Sequence, residues 1–394
     1  MALREAIAAA LVATGVVAIL IGAPTWMVAV VAAALFAGTA TRRHRMQNAV
    51  RVAVLGSRAA TEALAAQLAD RGVTGYNIIG NISAAEDAGA DGPPLGSLPD
   101  LRTLVEQHAI ELLLLAGDVP RLAVFDQLAA SCHDLPVRLC ELSAFYETRF
   151  GHVPVADVNS AWFQCILHPR HRVAPPRSKR VLDVALALVC GLICLPVLLL
   201  AALLIRRDGG PALYRQVRIG EGGRPFVMLK LRTMQLLPDS ETTWSHADDA
   251  RVTAVGRLLR SSHVDELPQL INVLRGEMSM VGPRPEQPHY VTYLERVLPF
   301  YSRRHQLRPG LTGWAQVRCG YAGSEDGTAW KLAHDLYYLR HRSLRLDARI
   351  LVETCWAAWR TPQFDELFET PFVVARRAQL EIAGESADSP GVAM

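Results

Sequence analysis

The chain has 394 residues, of which 51% are hydrophobic and 20% charged, and its formal net charge is +3. This length predicts two or three domains, and the low charged fraction indicates contact with a membrane. So small a net charge gives no reason to expect a nucleic-acid partner. The seven cysteines are scattered without a CxxC pair, so they signal neither a disulfide framework nor a zinc site and suit a reducing cytoplasm.

The first 45 residues are predicted to form a transmembrane helical hairpin. Residues 6–21 and 26–40 are almost uncharged, and the turn Gly22-Ala23-Pro24 separates them. The basic run Arg42-Arg43-His44-Arg45 follows at once, which by the positive-inside rule puts both ends of the hairpin in the cytoplasm. A signal peptide is the alternative, but two apolar segments with a turn and a basic stop favour the hairpin.

Residues 46–142 contain short apolar runs that alternate with amphipathic ones, beginning with the run 50–56. This alternation predicts a Rossmann-like parallel α/β domain, which could also mediate a homodimer. Gly56 stands alone after the first strand, where a dinucleotide fingerprint needs three glycines, so it predicts a turn rather than a cofactor site. Residues 143–177 are interpreted as a linker segment that ends at the stiff stretch Ala174-Pro175-Pro176.

The apolar run 181–205 is long enough to span a bilayer, yet basic residues flank both of its ends. The positive-inside rule therefore puts both flanks in the cytoplasm, and Pro196 near the middle removes an intrahelical hydrogen bond. These two facts predict a re-entrant helix that enters the membrane, bends at Pro196 and returns. Asp183, just inside the run, is expected to pair with Lys179 or Arg180.

A β-hairpin is predicted next, from residues 213–217 and 226–231 around the turn Gly220-Glu221-Gly222-Gly223. It carries four cations, a high charge density for strands packed on a core: Arg215, Arg218, Lys230 and Arg232. Three interpretations stay open, namely a solvated basic face, attraction of anionic lipid headgroups, and contacts with substrate phosphates. Further along, the pattern of residues 291–305 predicts an amphipathic helix that lies in the membrane interface.

Two adjacent carboxylates, Asp265 and Glu266, lie between basic residues and precede the stiff turn Gly282-Pro283-Arg284-Pro285. Neighbours on a helix point about 100° apart, so the two carboxylates would hold different partners within one site. One could attack or abstract a proton while the other binds Mg²⁺, and arginines would bind phosphate oxygens. A structural role is the alternative, because the tripeptide recurs at residues 365–367 without nearby arginines.

Four sequence blocks occur in a fixed order: YRQVRIG at 214–220, KLRTM at 230–234, DELPQLINVLRGEMSMVGPRP at 265–285 and RPGLTGW at 308–314. With these blocks the chain resembles the bacterial polyprenyl-phosphate sugar-1-phosphate transferases, the monotopic phosphoglycosyl transferases. The resemblance covers residues 178–360, and the part before it resembles the N-terminal region of the larger members. Two departures are Leu195 before Pro196, where the family commonly has serine, and His263-Val264 before the carboxylates.

The resemblance implies a membrane-associated α/β protein with four parts: the N-terminal transmembrane hairpin, a Rossmann-like parallel α/β domain of regulatory or structural role, a re-entrant membrane helix and a helix-rich α+β catalytic domain. The catalytic domain would be residues 178–365, followed by a tail at 366–394. The implied location is the bacterial inner membrane, with the catalytic domain facing the cytoplasm.

The implied activity is transfer of a sugar 1-phosphate from a UDP-sugar to polyprenyl (undecaprenyl) phosphate, with release of UMP, as the initiating step of exopolysaccharide, O-antigen or glycoconjugate synthesis. The resemblance implies that Asp265 attacks the sugar-bearing phosphorus and forms a covalent intermediate, and that Glu266 binds Mg²⁺. The cations expected to contact substrate phosphates are Arg215, Arg218, Lys230, Arg232, Arg284 and Arg308.

Two alternative functions remain at this point. A membrane-anchored nucleotide-sugar dehydratase or epimerase would need the glycine fingerprint and a Tyr-x-x-x-Lys pair, and the chain has neither. A non-catalytic membrane scaffold for polysaccharide assembly is opposed by the presence of all four blocks in one sequence. The sequence identifies neither the sugar nor the pathway.

Overall fold

The computed structural model describes residues 49–83, 95–117, 119, 128, 135–155, 162, 177–207, 209–235, 251–319 and 325–357. The predicted transmembrane hairpin (1–45) and the predicted tail (366–394) lie outside these residues. By its internal contacts the chain divides into two compact units, Met1–Phe145 and Tyr146–Met394.

The first unit contains a five-stranded parallel sheet with the strand order β3-β2-β1-β4-β5. Its elements are β1 (Val50–Leu55), α1 (Arg58–Asp70), β2 (Tyr76–Ser83), β3 (Gly96–Ser97), α2 (Leu101–His108), β4 (Leu112–Leu115) and β5 (Arg138–Glu141). The central strand β1 is apolar and its last four residues are buried, as expected for a parallel strand covered on both faces. The predicted parallel α/β organisation is therefore confirmed. After β1, Ser57 caps α1 by accepting a hydrogen bond from the Ala60 amide at 3.3 Å.

The second unit is a mixed α/β domain built around a large apolar core. Its elements are α3 (Leu142–Phe150), which begins in the first unit, α4 (Arg177–Arg206), β6 (Leu213–Ile219), β7 (Pro225–Leu231), α5 (Ala254–Ser261), α6 (Gln269–Arg275), β8 (Ser279–Val281), α7 (Pro288–Val297), β9 (Gly310–Thr312), α8 (Trp314–Cys319), α9 (Glu325–His341) and α10 (Leu344–Ala357). The core unites residues from α6, β8, α7, α9, α10 and the positions next to them, including Val273, Met278, Leu298, Leu336 and Ile350. Strands β6 and β7 form the predicted antiparallel hairpin.

Helix α4 contains the predicted membrane segment. Within the described residues it is the helix long and apolar enough to cross a membrane, with a mean hydropathy of 3.0 over its best window and only 11% of that window buried. Large apolar side chains such as Leu192 (74% exposed) and Ile193 (70% exposed) face outward, which a water-soluble helix would not tolerate in such number. The helix is continuous through Pro196, so the bend expected there stays a prediction.

The first turns of α4 are hydrogen-bonded to strand β8 and helix α6. Asp183 accepts hydrogen bonds from the Ser279 hydroxyl (2.8 Å) and the Met280 amide (3.0 Å), and the Lys179 ammonium lies 4.0 Å from it. The expected pairing of Asp183 with Lys179 is thus present, although strand β8 supplies the shorter contacts. Arg180 instead donates to the carbonyls of Val273 and Leu274, at 2.6 and 2.8 Å, and so caps the carboxyl end of α6.

The segment predicted as one helix over 291–305 is divided in the structure. Helix α7 ends at Val297, Phe300 has a left-handed φ of 62°, and a 3₁₀ turn covers Tyr301–Gln306. Pro299 explains the break, because a proline disfavours helical geometry in the residue before it. The apolar side of α7 packs in the domain core, where Leu294 is 7% exposed. The predicted interfacial orientation of this helix is therefore wrong.

Candidate active site

The two adjacent carboxylates lie on a short 3₁₀ turn, Val264–Glu266, between helices α5 and α6. His263 precedes the turn in the left-handed conformation, with φ 57°, and separates it from α5. Asp265 is buried, at 9% exposure, and the Glu266 side chain is 15% exposed. The sharp turn therefore brings both carboxylates to one place without a long helix.

Glu266 is held between two cations. Its Oε1 accepts hydrogen bonds from Lys230 Nζ at 2.9 Å and from Arg284 Nη2 at 2.7 Å. Burial opposes ionisation of Glu266, but the charges and hydrogen bonds of Arg284 and Lys230 outweigh it and hold its pKa well below the usual range. Glu266 is thus a permanent anion at neutral pH that fixes the positions of Lys230 and Arg284.

Asp265 has a different environment from its neighbour. Among the described residues, no hydrogen bond or ion pair engages its carboxylate within contact distance. Burial and then the negative charge of Glu266 raise its pKa, against the opposing fields of Lys230, Arg260 and His263. A carboxylate with unengaged oxygens beside fixed positive charges is suited to attack an electrophilic phosphorus.

Lys230 is positioned by the side chain of Asn272, which hydrogen-bonds to the backbone of β7 as a neighbouring strand would. The fully buried Asn272 of α6 accepts a hydrogen bond from the Leu229 amide at 3.0 Å and donates one to the Val227 carbonyl at 2.7 Å. Its amide also donates to Glu277 at 2.6 Å. One amide group thus ties β7 to the helix that follows the carboxylates, which sets the separation between Lys230 and Glu266.

Arg284 is positioned by contacts that hold the backbone of its turn, residues 282–285. A Cβ atom at Gly282 would collide with the Arg308 carbonyl, so the turn can approach β9 only with glycine there. Arg304 Nη2 donates to the Arg284 carbonyl at 2.9 Å and forms an ion pair with Asp335 Oδ2 at 2.8 Å. Sequence reasoning missed Asn272, Arg304 and Asp335, because their roles depend on contacts between distant elements.

The remaining predicted cations lie in different places. Arg218 lies beside the Arg284 turn, where its Nη1 donates to the Pro285 carbonyl at 3.1 Å. Arg308 pairs with Glu221 at the tip of the hairpin, at 3.1 Å, and Arg232 donates to the Ile205 carbonyl at the end of α4, at 3.1 Å. Arg215 is exposed. The structure thus unites Lys230 and Arg284 with the carboxylates, and phosphate contacts by the other four arginines stay predictions.

The two carboxylates offer oxygen ligands of the kind that a magnesium ion binds. Among the described residues, no group of three histidine, cysteine or acidic side chains could hold a metal ion alone. In phosphate-transfer sites, however, magnesium is usually bound by one or two carboxylates, with waters and substrate phosphates completing its shell. Glu266 Oε2 has one long contact, to Arg284 Nη1 at 3.4 Å. This oxygen therefore keeps acceptor capacity, and the donor set fits an ion that the substrate helps to bind.

Cations fixed around two adjacent, partly buried carboxylates define a site suited to phosphoryl transfer. The family model described as bacterial sugar transferase matches residues 175–361, which contain this site. The UDP-glucose:undecaprenyl-phosphate glucose-1-phosphate transferase of Caulobacter vibrioides is 47% identical over 190 residues, 47% of this chain and 71% of that protein. The chain belongs to the bacterial sugar transferase family.

Two further relatives differ in how much of each protein is matched. The UDP-N-acetylgalactosamine-undecaprenyl-phosphate N-acetylgalactosaminephosphotransferase of Aeromonas hydrophila is 43% identical over 178 residues, 45% of this chain and 42% of that protein. A UDP-glucose:undecaprenyl-phosphate glucose-1-phosphate transferase of Escherichia coli is 29% identical over 322 residues, 80% of this chain and 69% of that protein. The chain thus spans less than half the length of the Aeromonas relative, and the similarity to the Escherichia protein extends beyond the catalytic domain.

Proposed function

We propose that this protein transfers a sugar 1-phosphate from a UDP-sugar to undecaprenyl phosphate, giving undecaprenyl-diphosphate-sugar and UMP. The observation that carries this proposal is the unengaged Asp265 carboxylate beside the Lys230–Glu266–Arg284 cluster, in the segment shared with relatives named for this reaction. The names of these relatives include two different sugars, so the sugar is left to the experiment. The reaction would start the synthesis of an exopolysaccharide, an O-antigen or another glycoconjugate.

The proposed mechanism has two displacements at one phosphorus atom. In the first, an Asp265 oxygen attacks the sugar-bearing phosphorus, and the bond from that phosphorus to the bridging oxygen breaks, so that UMP leaves with the bridging oxygen. In the second, an oxygen of undecaprenyl phosphate attacks the same phosphorus and the bond to Asp265 breaks, which regenerates the carboxylate. No redox partner is needed, and the UDP-sugar donor and the lipid acceptor use the site in turn.

The neighbouring side chains have separate roles in this proposal. Lys230 and Arg284 stabilise the negative charge that spreads over the phosphoryl oxygens, and they are held in place before substrate arrives. Glu266 Oε2, with the substrate phosphates, would hold a magnesium ion that neutralises phosphate charge and stabilises the leaving UMP. The low pKa of Glu266 keeps it ready for this role throughout the physiological pH range.

We further propose that α4 is a re-entrant helix in the bacterial inner membrane and that the catalytic domain faces the cytoplasm. Support comes from the basic residues at both ends of the helix and from its exposed apolar side chains. This arrangement would keep Asp265 near the level at which the lipid phosphate lies. The predicted hairpin at 1–45 would add a second anchor.

The test is release of UMP from a panel of UDP-sugars by detergent-solubilised protein with Mg²⁺ and undecaprenyl phosphate. Release that depends on one UDP-sugar, is lost in Asp265→Asn and persists in Asp365→Asn would support the reaction and its nucleophile. Asp365 belongs to the repeated tripeptide and so provides a matched control. Intact-mass analysis without the lipid acceptor should reveal a sugar-phosphate adduct on the wild-type chain only. Absence of UMP with every donor would favour the scaffold function.

A further inference from the structure

The β6–β7 hairpin has two faces of different character. Cross-strand pairing places Lys230 opposite Tyr214, so these side chains share the face that meets Glu266. The same register pairs Leu213 with Leu231, Arg215 with Leu229, and Val217 with Val227, on the opposite face. Arg215 was expected to contact the substrate, but the register directs it away from the carboxylates.

Part of this second face is apolar and open, whereas Leu229 and Leu231 on it are buried. Leu213 is 41% exposed, Val217 48% and Val227 41%, although they lie on a regular strand pair. Three large apolar side chains on one sheet face leave a surface that water solvates poorly. Within the described part of the chain, Arg215 makes no hydrogen bond or ion pair, so the patch has an unneutralised cation among its apolar residues.

The patch is continuous with the lipid-exposed helix. Leu231, on the same face, packs in one cluster with Ala201 and Ile205 of α4. Helix α6 connects the same two elements, because Asn272 bonds to β7 while Arg180 of α4 caps its end. Its outward residues Ile271 and Leu274 are also apolar and 41% and 38% exposed.

We propose that this face of the hairpin rests on the anionic headgroup layer of the membrane, with Leu213, Val217 and Val227 below the phosphates and Arg215 bound to a lipid phosphate. The proposal rests on the membrane location in the proposed function. Apolar side chains that flank a guanidinium match an interface where acyl chains and phosphates meet, and an anionic surface attracts each nearby cation. The β6–β7 hairpin would then be a membrane contact in addition to α4, and it would fix the tilt of the catalytic site above the bilayer.

A fluorescent probe tests the contact without relying on activity. The full chain, reconstituted in vesicles of phosphatidylcholine and phosphatidylglycerol, would carry a coumarin amino acid at position 217. A second version would carry it at position 139, since Leu139 is similarly exposed (41%, against 48% for Val217) but belongs to the parallel sheet of the first unit. We expect headgroup-level spin-labelled lipid to quench the probe at 217 and not at 139, and aqueous iodide to quench only the probe at 139.

Two outcomes would overturn the proposal. Free access of iodide at 217 without lipid quenching would mean that the face is open to water. Protection from iodide without lipid quenching would mean that protein, from this chain or a second copy, covers it. Neither result would count against the proposed transferase reaction. Conversely, a failure to detect UMP release would not change the expected quenching pattern, so the two proposals are tested separately.

Arg215→Gln separates the lipid from the substrate as the partner of this guanidinium. If it binds lipid phosphate, the variant should lose about a fivefold stimulation of activity by phosphatidylglycerol, and its KM for the UDP-sugar should match wild type. A raised KM for the UDP-sugar at every lipid composition would return Arg215 to the substrate site and refute this part of the inference. The protein that carries the probe at position 217 and keeps Arg215 is the folding control for the Arg215→Gln variant.

Discussion

The buried ion pair between Arg304 and Asp335 leads to a prediction that separates stability from positioning. Both side chains are at most 4% exposed, and their charged atoms lie 2.8 Å apart. Asp335→Asn keeps the shape but leaves the Arg304 charge without its partner in the interior. Breaking one side of such a pair costs about 3–5 kcal/mol of folding free energy. Equilibrium denaturant unfolding in detergent micelles would measure this loss.

The paired variant Arg304→Met with Asp335→Leu is the decisive comparison. Removing both charges is often neutral for stability, so most of the lost free energy should return. The hydrogen bond from Arg304 to the Arg284 carbonyl would still be absent, and the turn would be free to shift. We expect kcat/KM to stay about 10- to 100-fold below wild type, because misplacement of a phosphate-binding group is costly.

Two results would refute this reasoning. Wild-type kinetics in the stable double variant would mean that Arg304 does not position Arg284. A loss below about 1 kcal/mol in Asp335→Asn would mean that the pair contributes little to the fold. Tyr301→Phe is a milder reference, since it removes one 2.8 Å hydrogen bond to Arg304 and keeps the ion pair.

Three more predictions follow from the same site. Lys230→Met should lower kcat/KM about 10- to 100-fold and move the acid limb of the pH profile upward, because the nucleophile Asp265 loses one of the cations that hold its pKa down; an unmoved limb would contradict this. Asn272→Leu should cost about 3–5 kcal/mol by denaturant unfolding, since it leaves two backbone groups of β7 unpaired, whereas Ile271→Ala on the exposed side should cost under about 1 kcal/mol. Burial and the charge of Arg304 lower the pKa of His305 from 6.5 to about 4. The contribution of His305 to stability is therefore complete above pH 6.5 and falls as the pH drops towards 4. The free energy of unfolding should decrease by roughly 3 kcal/mol over this range in the wild type, and this decrease should be absent in His305→Gln.

Local patterns in the sequence predicted much of the fold. The first strand was expected over 50–56 and occupies Val50–Leu55, because an apolar β-branched run next to a glycine leaves little choice. The hairpin was also predicted, since glycines at 220, 222 and 223 interrupt two alternating runs. The helix expected over 291–305 was wrong in its second half, where Pro299 outweighs the amphipathic pattern.

The site was predictable in its residue types but not in its connections. Adjacent carboxylates near arginines indicated phosphate chemistry, yet nothing local distinguishes Lys230, which meets Glu266, from Arg215 on the opposite face. A strand alternates its sides every residue, so the assignment depends on which face packs against α6. Asn272 holds β7 against α6 through the backbone of the strand, and this contact appears only when two elements distant in sequence come together.

The hydrogen bonds that α4 makes to β8 and α6 limit how this enzyme can be simplified. Deleting the helix would remove Asp183, which accepts hydrogen bonds from the Ser279 hydroxyl and the Met280 amide. It would also remove Arg180, which donates to the Val273 and Leu274 carbonyls. Both sets of groups belong to the segments that lead into the Arg284 turn and out of the carboxylate turn. A water-soluble version would therefore need a substitute for the first two turns of α4, with Arg180 and Asp183 retained, and only the outward apolar residues beyond them could be exchanged for polar ones.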